Sequence, residues 1–345
     1  MPRVIQSPED FHIIAENIHA TRIVLLKGKR VTTLDDGTLA VTYKVESGET
    51  EYLKVPPAYK STQYYEQGNV KHFMIAMQKG IGGDPEEREE GAAYVRWAVR
   101  RQVLAGARFL DVNVDEVSYE LDVQKKAMTW VINTVQGVSP IPPSVDSSSP
   151  EIIEAGLAEY DGRVGPPMIN SLALERLETL DLVKQYNTKV IVSAAGEEGM
   201  PQDAGERVEN VRKLMEAVDA AGVPRSDAYI DCLVFPISVS HEHGKFFLDA
   251  VTEVRELFGN EVHITGGLSN VSFGLPKRKL VNDSFIQLGL EAGIDSGIVD
   301  PVASKIGEVF TLDTESLGVK LAQDMLNGND DFCANYIQAW RDKNI

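Results

Sequence analysis

Residues 144–157 read SVDSSSPEIIEAGL. A short apolar run stops at Asp146, three serines turn the chain, and Ser149 followed by Pro150 makes an N-cap and first-turn pair for the helical pattern that begins there. The stretch is one strand-to-helix unit with a carboxylate at the carboxyl end of the strand. Its neighbours repeat the pattern. Asp111 and Asn113 punctuate RFLDVNVD, Asn170 ends PMINS, Asp231 ends AYIDC and Asn270 follows HITGGLS. Short β-branched runs separated by amphipathic helices read as buried parallel strands, and the end of such a strand is where α/β enzymes carry their chemistry.

Counting FHIIAENIH as the first, the chain holds about eight such strands, each followed by a helix. The expected fold is an α/β (β/α)8 TIM barrel forming a single domain over residues 1–345. A doubly wound sheet is the alternative, but the IGGD segment at 81–84 lacks the G-x-G-x-x-G spacing of a dinucleotide turn. Residues 31–82 do not fit the repeat. There VTTLDDGTLAVTYKV, with an Asp36-Gly37 turn, predicts a β-hairpin inserted after the first strand, followed by an aromatic-rich stretch with Tyr59, Tyr64, Tyr65 and Phe73. Two readings of this insertion stand side by side: a lid or docking surface, and a surface ornament or oligomer contact.

A formal net charge of −18 opposes attraction to nucleic acid or to an anionic membrane. No run approaches the length needed to span a bilayer, and the start MPRVIQSPEDF has neither a basic nor an apolar leader segment, so the protein is expected to be cytoplasmic. Cys232 and Cys333 lie far apart, and no His-rich spacing accompanies them; no bound metal is expected. The SHEHG segment with His241 and His243 reads as a polar loop opening a helix.

Strand-end Asp and Asn side chains are poor in nucleophiles and rich in hydrogen-bonding groups. A carboxylate accepts two parallel hydrogen bonds and a carboxamide both donates and accepts, which suits a flat heterocycle with an amidine-like edge, such as a pterin. The bland alternative is that some of these residues cap the following helix, a reading open above all for Asp111 and Asp300.

At these residues the chain resembles a family. DVNV, SVDSSSPEIIEAGL, MINS, YIDCLV and GLSNVSFGLPKR are similar to the pterin-binding barrel of methyltetrahydrofolate:corrinoid methyltransferases, related to the folate module of cobalamin-dependent methionine synthase. ENIHATR resembles the start of the same barrel, whereas the insertion and the GEEGMPQD segment at 196–203 depart from it. The resemblance implies that Asp146, Asn170 and Asp231 hold the pterin, with Asp111 and Asn113 nearby, and that Asn270 lies beside N5 and is the catalytic residue. Arg278 falls where a contact to the folate tail is implied, a solvated Arg at a helix start being the alternative. The implied activity moves a methyl group between N5 of tetrahydrofolate and the cobalt of a corrinoid, with a lean toward the methylcorrinoid-to-tetrahydrofolate direction of a C1 demethylation pathway. With no D-x-H-x-x-G element for an axial His, the corrinoid is expected on a separate protein. A homodimer is also implied. The rival readings are a non-catalytic pterin-binding or corrinoid-docking subunit and dihydropteroate synthase. The latter is disfavoured because Asp300, at the last strand, would repel a diphosphate.

Overall fold

The computed structural model describes residues 4–345. Eight strands make the central sheet: β1 (His12–His19), β2 (Phe109–Asn113), β3 (Pro143–Asp146), β4 (Met168–Leu172), β5 (Lys189–Ser193), β6 (Ala228–Asp231), β7 (His263–Thr265) and β8 (Ser296–Val299). Their spatial order is β7-β6-β5-β4-β3-β2-β1-β8. A parallel bridge between Gly267 and Ile298 returns β8 to the free edge beside β7. Between them run α1 (Pro85–Leu104), α2 (Leu121–Gln136), α3 (Pro150–Glu159), α4 (Thr179–Tyr186), α5 (Ala204–Ala220), α6 (His243–Phe258) and α7 (Arg278–Ala292), and α8 (Leu317–Leu326) follows β8. Neighbours in sequence are neighbours in space, as parallel strands joined by helical crossovers require. The fold is the TIM-barrel-like α/β arrangement the strand count predicts.

The chain divides into two compact units. One comprises the segment through Ala15, Ala105–Phe109 and Met168–Ile345; the other, Glu16–Leu104 and Leu110–Pro167. The first centres on Ile14, Phe109, Met168, Ile191, Tyr229 and Ile298, one buried side chain from each of six strands. Removing such side chains from water stabilises by roughly 1.5–3 kcal/mol apiece, which is why the runs are apolar on both faces. A polar knot lies in the same unit. Arg255, 3% exposed, donates to the carbonyls of Gly293, Gly259 and Val262 and pairs with Asp295 at 3.4 Å. Asp295 also receives the Ile264 N–H at 2.8 Å and His263 Nδ1 at 2.8 Å. The end of α6 and the entries to β7 and β8 are thereby tied to one guanidinium–carboxylate pair.

In the second unit the hairpin forms around Asp36-Gly37, with Gly37 at a φ of 84° and the Thr38 N–H donating to Asp36 Oδ1 at 2.8 Å. Thr50–Lys54 adds a third antiparallel strand, giving a small sheet of Val31–Thr33, Leu39–Lys44 and Thr50–Lys54. It is stitched to α1 by Trp97 Nε1, which donates to the Lys44 carbonyl at 2.8 Å, and by Tyr43 edge-on to Tyr94 at 5.0 Å. α3 packs closely on β3 because Gly156 has no side chain: a Cβ there would fall 2.8 Å from Val145 Cγ1 and 2.9 Å from Met128 Cγ.

Two local expectations need correction. The aromatic-rich stretch contains a helix, His72–Gly82, in which eight of the eleven residues are buried, so no polar face marks the helical period. Ahead of α4, Leu174–Arg176 forms a single tight turn, and Arg176 bonds back to the Ser171 carbonyl and hydroxyl. Ser149 occupies the N-cap, but its hydroxyl donates to Glu151 Oε2 at 2.6 Å instead of accepting from the backbone.

Replacing Arg255 by Ala leaves Asp295 buried without its cation and three carbonyls without their donor. Urea unfolding of R255A is expected to show a loss of about 3–5 kcal/mol; a loss below about 1 kcal/mol would mean that the knot holds nothing together.

Candidate functional site

In the second unit β2 and β3 pair in parallel with Asn113 directly opposite Asp146. Asn113 Nδ2 donates to Asp146 Oδ2 at 3.0 Å, and Asn113 Oδ1 accepts the Asp115 N–H at 3.0 Å. Asp115 accepts from the Ser147 hydroxyl at 2.6 Å and from the Ser148 N–H and hydroxyl at 3.1 and 3.2 Å. The serines after Asp146 are therefore a loop fastened to one carboxylate, and that loop sets where β3 ends. Asp111 sits inside β2 with no exposed surface and accepts from His19 Nε2 at 2.9 Å. His19 Nε2 is also 4.0 Å from Asp146 Oδ2. Of the predicted residues, Asp111, Asn113 and Asp146 are thus joined in one network.

Burial pushes the Asp146 carboxyl upward, the charge of Asp111 adds to the rise, and His19 pulls against it. For His19, burial favours the neutral ring, but its hydrogen bond to Asp111 and the charges of Asp111, Asp146 and Glu16 outweigh it, and the imidazole is held above its ordinary value. The ligand atoms of His19, Asp111 and Asp146 lie within 4.8 Å of one another. The closest of these approaches is accounted for as a hydrogen bond between imidazole and carboxylate.

In the first unit Asp231 ends β6 level with Ser193 of β5, and Asn170 in β4 pairs with Ile191. Asp231 Oδ1 accepts the Leu233 N–H at 2.8 Å. Beneath it Arg207, wholly buried, donates through Nε to the Cys232 carbonyl at 2.9 Å and through Nη1 to the Asp203 carbonyl at 2.6 Å. Burial raises the Asp231 carboxyl to about 6, with the Leu233 N–H and Arg207 only partly offsetting it. Asn270 lies on the one-turn segment Leu268–Ser272 after β7. Its carboxamide crosses over Gly267, where an added Cβ would sit 2.8 Å from Asn270 Nδ2. Arg278 braces the same turn: Nε donates to the Ser272 hydroxyl and Nη2 to the Ser269 carbonyl, each at 2.9 Å, and the guanidinium stacks 4.5 Å from the Phe273 ring. Asp231 closes β6, Asn170 lies within β4 and Asn270 sits on the turn after β7, so the three stand on separate elements.

The capping alternative divides. Asp300 caps its turn, accepting from the Val302 and Ala303 N–H groups at 3.0 and 3.1 Å, whereas Asp111 lies within a strand and caps no helix. His243 opens α6, with its Nδ1 3.1 Å from the Pro236 carbonyl. His19 and Asp115 are the residues sequence reasoning passed over. Their signal was present, at the end of ENIH and two residues beyond Asn113, but neither spacing reveals that His19 faces Asp111, 92 positions away.

Half-buried acids with raised pKa values beside carboxamides can bind a neutral heterocycle through paired hydrogen bonds, or hold a proton. A model of the family described as "Pterin binding enzyme" matches residues 87–300. The methylcorrinoid:tetrahydrofolate methyltransferase of Eubacterium limosum is 28% identical over 265 residues, 75% of this chain and 91% of that protein. The methionine synthase of Mycobacterium leprae is 33% identical over 219 residues, 59% of this chain but only 18% of that longer protein. Among solved structures, dihydropteroate synthase from Stenotrophomonas maltophilia aligns with a TM-score of 0.52 at 20% identity, covering 66% of this chain and 87% of that one, a likeness of fold. Among the described residues no helix is long and apolar enough to cross a membrane.

Asp231 provides a test independent of any ligand. Its carboxyl titrates near 6 when folded, against 3.8 in an exposed chain, so ionising it costs stability; the cost is absent below pH 3.8 and complete above about pH 6. Asp231→Asn, which keeps an acceptor for the Leu233 N–H, is expected to be more stable than the parent at neutral pH by on the order of 2 kcal/mol. That difference should fade as the pH is lowered toward 4, as read by chemical denaturation across the range; a pH-independent difference would contradict the assignment.

Proposed function

Because the chain belongs to the pterin-binding enzyme family, we propose that it is a methyltransferase moving a methyl group between a methylcorrinoid and N5 of tetrahydrofolate, in the direction that charges the folate. The observation that carries this reading is the strand-end set of acids and carboxamides within a chain that matches the E. limosum methyltransferase along nearly its whole length. The corrinoid is carried by a separate protein, and the enzyme works in the cytoplasm as a homodimer.

Asp231 and Asn170 in the first unit bind the pterin ring. The carboxylate accepts from the 2-amino group and N3–H, a bidentate contact that is charge-assisted and planar. The same reading gives Asp146 an acceptor's role toward the pterin, with Asn113 and Asp111 supporting it. Arg278 braces the Asn270 turn through two of its nitrogens, and the folate tail runs beside its guanidinium.

The reaction is an in-line displacement at carbon. As the methyl group arrives, N5 forms a bond to carbon, the cobalt–carbon pair stays with the metal, and N5 gives up its proton to water; in reverse, N5 must gain a proton from water before it can leave. Asn270 shares that proton by hydrogen bonding. A neutral carboxamide turns from acceptor to donor without the cost of burying a charge. Gly267 matters because only a residue without a side chain leaves room for that carboxamide.

Two outcomes check the assignment. With purified protein, tetrahydrofolate and methylcobalamin, Asn270→Ala should lower the methyl-transfer rate about 10²- to 10³-fold while changing folate affinity little. Folate binding with no methyl exchange in the parent protein would instead favour the non-catalytic subunit. Gly267→Ala, which displaces the Asn270 carboxamide without touching the ring contacts, should reproduce most of the rate loss; full activity would show that Asn270 acts elsewhere or not at all.

A further inference from the structure

His19 is a titratable side chain with a defined place and no role in the reaction as described. It ends β1 next to the carboxylates of β2 and β3, 15% exposed, while Asp111 has no exposed side-chain surface and Asp146 retains 23%. Its backbone is fixed by the following residue: the Ala20 N–H donates to the Asn113 carbonyl at 2.9 Å, locking the end of β1 to β2. Nε2 donates to Asp111 Oδ2 and faces Asp146 Oδ2.

We infer that His19 is a positioning residue that carries a positive charge between Asp111 and Asp146, and so keeps Asp146 an ionised acceptor for the pterin. The inference rests on the folate reading above. Its physical basis is like-charge crowding. Asp111 cannot be screened by water, Asp146 is only partly screened, and two carboxylates this close to one side chain do not both ionise unless a cation stands between them. The remaining charged groups nearby do not supply it. Glu16, on β1, adds a negative charge; Arg22, in the loop after β1, is engaged by Glu16 at 3.5 Å and by Asn17; Asp115, beyond β2, is a further carboxylate bound to the serine loop. A glutamine at position 19 could preserve the hydrogen bond to Asp111 but not the charge.

The separation of charge from shape makes the test specific. Tetrahydrofolate affinity is measured from acid to alkaline pH for the parent protein and for His19→Gln. Without the imidazolium, Asp146 holds its proton to higher pH, so the acid limb of the binding profile should move by about one pH unit or more toward alkaline, a roughly tenfold loss of affinity on that limb. At high pH the parent's own imidazole is neutral, and the two profiles should converge to within about twofold. A uniform loss at every pH would show a merely structural role and overturn the inference, as would an unshifted limb. If the parent protein binds no tetrahydrofolate, the folate reading fails and takes this one with it; if it binds normally and the limb does not move, only the role of His19 is lost. Should His19→Gln fold poorly, an NMR titration of the His19 ring in the parent protein decides: protonation persisting above the ordinary histidine value of 6.5 supports the inference, and a ring neutral at that pH refutes it.

Discussion

A carboxylate at the end of a buried strand has few places to send its charge, and the rest of the molecule answers that difficulty. Asp231 accepts one backbone N–H and feels the charge of Arg207, yet its carboxyl still rises to about 6. Asp146 is met by Asn113 and His19 and still rises. Leaving these acids incompletely compensated costs stability, and it leaves lone pairs able to accept the two N–H donors of a pterin edge. A fully neutralised salt bridge at either position would be quieter and would bind nothing.

The scaffold below the acids is correspondingly rigid. The barrel aligns Asn113 with Asp146 and Ser193 with Asp231, so a one-residue shift in either pairing would turn the acid toward the opposite face. Asp115 gathers the serines of the β3 loop, Arg278 gathers the turn that bears Asn270, and Arg255 ties the entries to β7 and β8. In each case a charged side chain is spent on backbone or hydroxyl groups, which is what holds neighbouring functional groups in a single rotamer.

Much of this was legible from the residues alone. The strand ends at Asn113, Asp146 and Asp231 could be read because β-branched runs end abruptly at polar residues, and Asn270 because it follows the run HITGG closely. Two kinds of feature were not legible. Burial without polarity hides a helix: His72–Gly82 shows no amphipathic face because it has almost no exposed one. Contacts across distant segments also leave no local spacing, so the approach of His19 to Asp111 had to come from the fold. Asp111 shows the same limit from the other side, since a strand-interior acid and a helix cap look alike until the strand's end is seen.

The central claim is that an ionised strand-end acid recognises the amino edge of a pterin. The most direct measurement is a thermodynamic cycle: affinities of tetrahydrofolate and of its analogue lacking the 2-amino group, each for the parent protein and for Asp231→Asn. The account predicts that the parent protein discriminates strongly between the two ligands and that most of this discrimination vanishes in the variant. Equal discrimination by both proteins would mean that Asp231 does not face the pterin.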